Sequence, residues 1–250
     1  MIIPNNIYLG DCLDLMKEIP DNSVDLILCD LPYGTTACKW DVIIPFDKLW
    51  EQYNRIRKCN AAILLFGAQP FSSLLINSNI RDFKQELIWD KQIGGNFVHA
   101  KRRILPRHEN ILLFYEKSPA YNPIMIYKEK SKIRPNPTMK SSTITTTIPM
   151  GSGIIKCSKD RDKTKSFPTS ILSFSKRMAE CNEKFRLHPT QKPIALLEYL
   201  IQTYSNEGGL VLDNCFGSGS TLIAAKNLGR QFIGIEKEEK YFEIAKRRLE

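Results

Sequence analysis

Apolar residues along this chain gather in short unbroken runs, and the segments between them repeat apolar residues at the 3.6-residue spacing of amphipathic helices. Val24-Asp25-Leu26-Ile27-Leu28, Ala61 to Phe66, Gly209-Leu210-Val211-Leu212-Asp213 and Gln231-Phe232-Ile233-Gly234-Ile235 read as buried strands. Such runs fit strands covered on both faces, as in parallel sheets. Leu13 to Ile19 reads as a brief helix stopped by Pro20, and Phe46 to Cys59 as a helix with Phe46, Leu49, Tyr53 and Ile56 on one face. Pro193 to Tyr204 turns Leu196, Leu197, Leu200 and Ile201 inward, Leu222 to Leu228 forms another helix, and 237–250 close with a last one. Phe83 to Trp89 and Asn110 to Tyr115 read as the final two strands, antiparallel to each other. Strands alternating with helices predict an α/β fold, a doubly wound, mostly parallel sheet with an antiparallel strand. If the carboxyl-terminal strands are first and second in that sheet, Ile7 to Leu9 is the third and Val24 to Cys29 the fourth. The two termini then lie close together.

The pattern breaks between 121 and 187, where Pro, Ser, Thr and Lys dominate and secondary structure is poorly signalled. Fourteen Lys and Arg there oppose five Asp and Glu, which is +9 and equals the charge of the whole chain. The remainder is neutral. A basic insertion of this kind neutralises phosphates and binds nucleic acid in a salt-sensitive way. The reading is therefore one α/β domain made of 1–120 and 188–250, with 121–187 as an inserted recognition region. No run approaches the length of a membrane span and no leader is evident, so a soluble, cytoplasmic protein is expected. The seven scattered cysteines and three histidines lack metal-ligand spacing, and no metal is expected.

Two strand ends carry candidate chemistry. The run ending at Leu28 leads into Cys29-Asp30-Leu31-Pro32-Tyr33-Gly34, and ligands of open α/β sheets bind outside the carboxyl ends of strands. The Asp30 carboxylate can accept one hydrogen bond from an amino group and the Leu31 carbonyl a second. Pro32 holds the turn and Tyr33 offers a planar face. That constellation suits the exocyclic amine of a nucleobase taken out of its helix, although Asp, Pro and Gly are also ordinary turn residues.

The second strand end is Asp213, followed by Asn214-Cys215-Phe216-Gly217-Ser218-Gly219-Ser220-Thr221 and a helix. Glycines at such a turn let backbone approach a ligand, and the helix start adds N–H groups. A dinucleotide fingerprint needs a third glycine where Leu222 stands, and a phosphate loop needs a lysine that is absent. Glu236, ending the next strand, occupies the position that hydrogen-bonds ribose hydroxyls. The implied ligand contains a nucleoside and needs no pyrophosphate cradle.

In these residues the chain resembles the amino-group DNA methyltransferases that use S-adenosyl-L-methionine, with their Asp/Asn/Ser-Pro-Pro-Tyr/Phe and Phe-x-Gly-x-Gly motifs. The order of the motifs is that of the beta group, and His188-Pro189-Thr190-Gln191-Lys192-Pro193 precedes the cofactor strand. The resemblance covers 5–118 and 188–250. It implies a Rossmann-like methyltransferase sheet with an inserted target-recognition region, and S-adenosyl-L-methionine as cofactor. It implies cofactor contacts from Asp11, Cys12, Asp30, Lys192, Asp213, Cys215, Phe216, Gly217, Ser218, Gly219, Ser220, Thr221 and Glu236. Asp11 then meets the cofactor's adenine, and Lys192 its carboxylate. Asp30, Leu31, Pro32 and Tyr33 are catalytic. Leu31 stands where proline is commonest, but the role there belongs to the backbone carbonyl.

In that family aspartate at the first tetrad position usually goes with adenine, and serine with the cytosine amino group. The expected reaction is site-specific methylation of the adenine amino group in double-stranded DNA by base flipping. Cytosine-N4 and RNA amines are the alternatives. The loop Gly94 to His108, with Lys101, Arg102, Arg103 and Arg107, is expected to grip the DNA backbone on the catalytic rim. Thr35 to Pro45, with Trp40, is a candidate loop over the flipped base. A second copy of the chain and a cognate restriction endonuclease stay open as partners. Rival readings are a binder with a degenerate cofactor fold, opposed by the intact motifs, and a nicotinamide oxidoreductase, opposed by the missing glycine.

Overall fold

The computed structural model describes residues 2–36, 38, 41–95, 97–127, 162, 164–175 and 191–250. They form two units, Met1–Asn122 with Thr169–Glu250, and Pro123–Pro168. Expected features at Trp40, at His188 to Thr190 and through most of the basic insertion lie outside the described residues.

The elements in chain order are β1 (Asn6–Leu9), α1 (Cys12–Leu15), β2 (Val24–Cys29), α2 (Phe46–Ile56), β3 (Arg57–Gly67), α3 (Phe71–Ser78), β4 (Phe83–Asp90) and β5 (His108–Phe114). There follow β6 (Ile126–Tyr127), β7 (Lys165–Ser166), β8 (Ile171–Ser173), α4 (Ile194–Tyr204), β9 (Leu210–Asp213), α5 (Ser220–Asn227), β10 (Gln231–Glu236) and α6 (Glu239–Leu249). The second unit holds the β6–β7 antiparallel pair, where the Lys165 ammonium lies 5.2 Å from the centre of the Tyr127 ring.

In the first unit eight strands form one sheet in the order β1-β10-β9-β2-β3-β5-β4-β8. Every neighbouring pair is parallel except the two made by β5, which runs against both β3 and β4. The chain ends meet as expected, with Asn6 opposite Ile233 and Leu9 opposite Glu236. The strands are apolar on both sides because both sides are covered. Val24, Ile27 and Cys29 face a layer that includes Leu49, Tyr53 and Phe71 of α2 and α3. Leu26 and Leu28 face Leu196, Leu200, Leu222 and Ala245 of α4, α5 and α6. At about 25 cal/mol per Å², each fully buried leucine contributes roughly 2 kcal/mol.

Three boundaries differ from the expected ones. The helix read over Phe46 to Cys59 stops at Ile56, because Arg57 is extended and already pairs with Val24 in the sheet. Its guanidinium is buried 2.7 Å from Asp82, a partner the helical pattern does not disclose. The register then slips, so that Leu26 faces Ala62, and the apolar run begins only after this irregularity. The helix read over Leu13 to Ile19 is α1 plus a 3₁₀ turn at Met16–Glu18.

The third concerns the insertion. Its second-unit portion ends at Pro168, and Ile171–Ser173 returns to the main sheet as its edge strand. Those three residues carry no strand pattern of their own. They are held by the outer edge of β4, through Ile88 N–H to the Ser170 carbonyl and the Trp89 indole N–H to the Phe174 carbonyl, both 2.8 Å. No described helix is long and apolar enough to cross a membrane.

Candidate active site

The carboxyl ends of β1, β2, β9 and β10 open into one cavity of about 310 Å³. Every residue of the tetrad, Asp30, Leu31, Pro32 and Tyr33, lines it. So do Asp11, Cys12, Lys192, Asp213, Cys215, Phe216, Gly217, Ser218, Ser220, Thr221 and Glu236. Gly219 stands behind the wall with φ +79°, and a Cβ there would lie 2.8 Å from the Ala245 Cβ. Its left-handed turn and its contact with α6 are why glycine is needed.

Glu236 is fixed before any ligand arrives. The Gly217 N–H donates to its Oε2 at 2.8 Å, and the Lys237 and Glu238 N–H groups donate to Oε1, both at 2.9 Å. Burial raises its pKa, against the pull of those three amides. The Gly10 N–H reaches the Glu236 carbonyl at 2.9 Å, which sets Asp11 beside it. Asp11 also caps α1, accepting the Leu13 N–H at 2.9 Å. A pinned carboxylate, a second carboxylate next to it and a glycine turn opening a helix fit a ribose and a base on one side of the cavity.

Burial and mutual contact raise the pKa values of the thiols on this side. Burial pushes Cys29 to about 12, and contact with Cys215 followed by burial raises Cys12 further. Cys215 is likewise raised, so all three stay protonated.

At the other side of the cavity the Tyr33 hydroxyl donates to Asp30 Oδ1 at 2.6 Å, and burial, then the Asp30 charge, hold the phenol well above its usual range. The Tyr33 ring stacks on Phe71 at 4.8 Å and 22°. Phe71 is buried and sits outside the cavity lining, so it backs Tyr33 and leaves the lining to the tetrad. Lys192 lies on Asp30, with Nζ 2.5 Å from Oδ2 and 3.3 Å from Glu109 Oε2. The resemblance sends this ammonium to a cofactor carboxylate. In the structure it bridges two carboxylates of the protein, a consequence of its burial beside them. Burial alone lowers its pKa, but the Asp30 and Glu109 charges outweigh that and the net shift is upward.

Asp41 organises the start of the loop over the tetrad. Its buried carboxylate accepts the N–H groups of Gly34, Thr35 and Thr36 at 2.8, 2.9 and 2.7 Å. Glu109 and Asp41 are not legible as site residues in the sequence, since Glu109 owes its position to a partner distant in sequence and Asp41 to an irregular turn.

The cationic loop leaves β4 after Asp90 and returns at His108, on the rim where β2 and β3 also end. Lys101, Arg102 and Arg103 are exposed. Arg107 is not equivalent to them. Its guanidinium forms a two-point pair with Asp90 at 2.7 and 2.8 Å that closes the base of the hairpin and holds Asp90 below the usual carboxylate range.

One cavity at the carboxyl ends of the parallel strands is thus walled by the Asp30 tetrad and by the glycine turn after β9. The chain matches the family described as DNA methylase (N6_N4_Mtase) over residues 24–247, and it belongs to that family. It is 29% identical over 256 residues to the type II methyltransferase M.HpaI of Haemophilus parainfluenzae, covering 96% of this chain and 73% of the relative. Among solved structures, the M1.HpyAVI–SAM complex superimposes with a TM-score of 0.61 at 23% identity, over 97% of this chain and 98% of the other. The cytosine-N4-specific PvuII DNA methyltransferase gives 0.65 at 16% identity, over 98% and 92%. Both likenesses are of fold.

Proposed function

We propose that this chain methylates the exocyclic amino group of adenine in double-stranded DNA, taking the methyl group from S-adenosyl-L-methionine with the target base extruded from the helix. One observation carries the reading: the Asp30 tetrad and Gly217, Ser218, Ser220 and Thr221 of the glycine turn line a single cavity. As a DNA methylase of the amino-group family, the protein uses S-adenosyl-L-methionine, which when bound supplies a sulfonium methyl and a thioether leaving group. Asp11 and Glu236 are assigned to its nucleoside, and the Phe216–Thr221 turn to the body of the cofactor.

The amino nitrogen of adenine is a poor nucleophile because its lone pair is delocalised into the ring. Asp30 and the Leu31 carbonyl accept its two hydrogens, which favours a more tetrahedral nitrogen with its lone pair aimed along the transfer line. Tyr33, backed by Phe71, stacks on the extruded ring. The protein's contribution is positioning and electrostatics. A carboxylate is too weak a base to deprotonate the amine first, so proton loss accompanies or follows methylation.

Lys101, Arg102 and Arg103 are assigned to phosphate contacts beside the target, and the insertion at 121–187 to sequence recognition. The type II relative supports membership of a restriction–modification pair. Aspartate at the head of the tetrad supports adenine. The cytosine amino group is the second reading, favoured by the likeness to a cytosine-N4-specific enzyme.

The test is transfer of labelled methyl from S-adenosyl-L-methionine to unmodified DNA, followed by digestion to nucleosides. Wild type should give methyladenine, and Asp30→Ala should lose on the order of a thousandfold in rate. Methylcytosine in the digest would replace adenine by the second reading. An Asp30→Ala variant as fast as wild type would overturn the mechanism.

A further inference from the structure

Both oxygens of Asp30 are engaged, one by the Tyr33 hydroxyl and the other by the Lys192 ammonium. An amine that donates to this carboxylate must displace or share one of these partners. Lys192 is the stronger competitor, since it is charged and its side chain is only 8% exposed. Behind it, Glu109 reaches the same ammonium through Oε2 and Lys91 through Oε1, at 3.3 and 3.1 Å. The Phe66 ring centre is 4.9 Å from Lys192 Nζ. Carboxylate, ammonium, carboxylate and ammonium thus run away from the cavity along the strand ends of β2, β5 and β4, and Glu109 is not part of the lining.

We propose that Glu109 is a positioning residue for methyl transfer: it shares the Lys192 ammonium with Asp30 and keeps it when Asp30 turns to the target amine. The inference rests on Asp30 as the amine acceptor. A buried ammonium deprived of carboxylate partners is strongly disfavoured. Without the Glu109 charge, Lys192 therefore stays on Asp30 and leaves it a poorer acceptor. With Glu109 present, the ammonium keeps a carboxylate in either arrangement, and Lys91 balances the charge of Glu109 meanwhile. Glu109 acts through Lys192 and touches neither substrate nor cofactor.

The experiment is methyl transfer to DNA at saturating S-adenosyl-L-methionine by wild type, Glu109→Gln, Glu109→Asp and Glu109→Gln/Lys192→Gln. Glu109→Gln keeps the shape and loses the charge, and its kcat should fall about tenfold while its Kd for the cofactor is unchanged. Glu109→Asp, which keeps the charge, should recover part of that loss. The double variant decides between roles: with the competing cation gone it should be faster than Glu109→Gln alone, whereas a purely structural defect would be additive or worse. A Glu109→Gln enzyme with wild-type kcat, or a double variant slower than Glu109→Gln, overturns the inference and leaves the function standing. A wild type that methylates no DNA removes the function, and the inference with it.

Discussion

Asp213, the last residue of β9, ends a fully buried strand, and its side chain is a carboxyl group in the floor of the cavity. Burial raises its pKa to about 7, against hydrogen bonds from the Thr221 hydroxyl, the Cys215 N–H and the Cys29 thiol, and with the Asp30 charge adding to the rise. The native state therefore holds this proton more tightly than the unfolded chain, where the group titrates near 3.8. Its contribution to stability is complete below the unfolded value and is lost as pH rises through the folded one. A displacement from 3.8 to about 7 corresponds to roughly 4 kcal/mol of pH-dependent stability from one residue. Asp213→Asn removes the titration while preserving an acceptor for the Cys215 N–H. Urea unfolding of both proteins, without cofactor, at intervals between about pH 4 and pH 8 isolates the term, because other groups cancel in the difference. The stability of wild type relative to Asp213→Asn should fall steadily over that window, by an amount approaching the worked value. A difference that stays flat would refute the assignment of the proton to Asp213.

Two further outcomes follow from packing and charge. At Gly234 in β10, an added Cβ would lie 2.5 Å from Leu222 Cδ1 and 2.7 Å from Phe216 Cδ1. Gly234→Ala should cost about 1–3 kcal/mol, lower the melting temperature and weaken cofactor binding through Phe216, and an unshifted melt would contradict the packing. Replacing Lys101, Arg102 and Arg103 with alanine, with Arg107 left to close the hairpin, should reduce the slope of log K against log salt for DNA by roughly 2–3. Binding measured across a salt series checks it, and an unchanged slope would take the loop off the phosphates.

The sheet was legible because its strands are buried on both faces and announce themselves as apolar runs, and because Asp30, Asp213 and Glu236 each mark a strand end. Chemistry sitting directly on a strand end travels with the strand, and the pairing of β2 with β9 in the structure brings Asp30 and Asp213 to one cavity. What the pattern could not disclose depended on partners distant in sequence. Arg57 looks like the tail of a helix until Asp82 is beside it. Ile171–Ser173 becomes a strand only through the edge of β4. The contacts of Lys192 with Asp30 and Glu109 come from three separate segments meeting at one point. Arg107 shared a basic cluster with its neighbours, and Asp90 sets it apart.

The sheet order has a consequence for the order in which the protein becomes competent during synthesis. Asp30 leaves the ribosome early, but β2 has β9 as its neighbour, and the Leu210 N–H that bonds Asp25 on β2 comes 185 residues later. Until β9 and β10 emerge, the nascent chain carries the Asp30–Tyr33 tetrad with no pocket floor beside it. Contacts so distant in sequence close late and slowly. A product that ends before β9 therefore lacks the Asp213–Thr221 wall of the cavity.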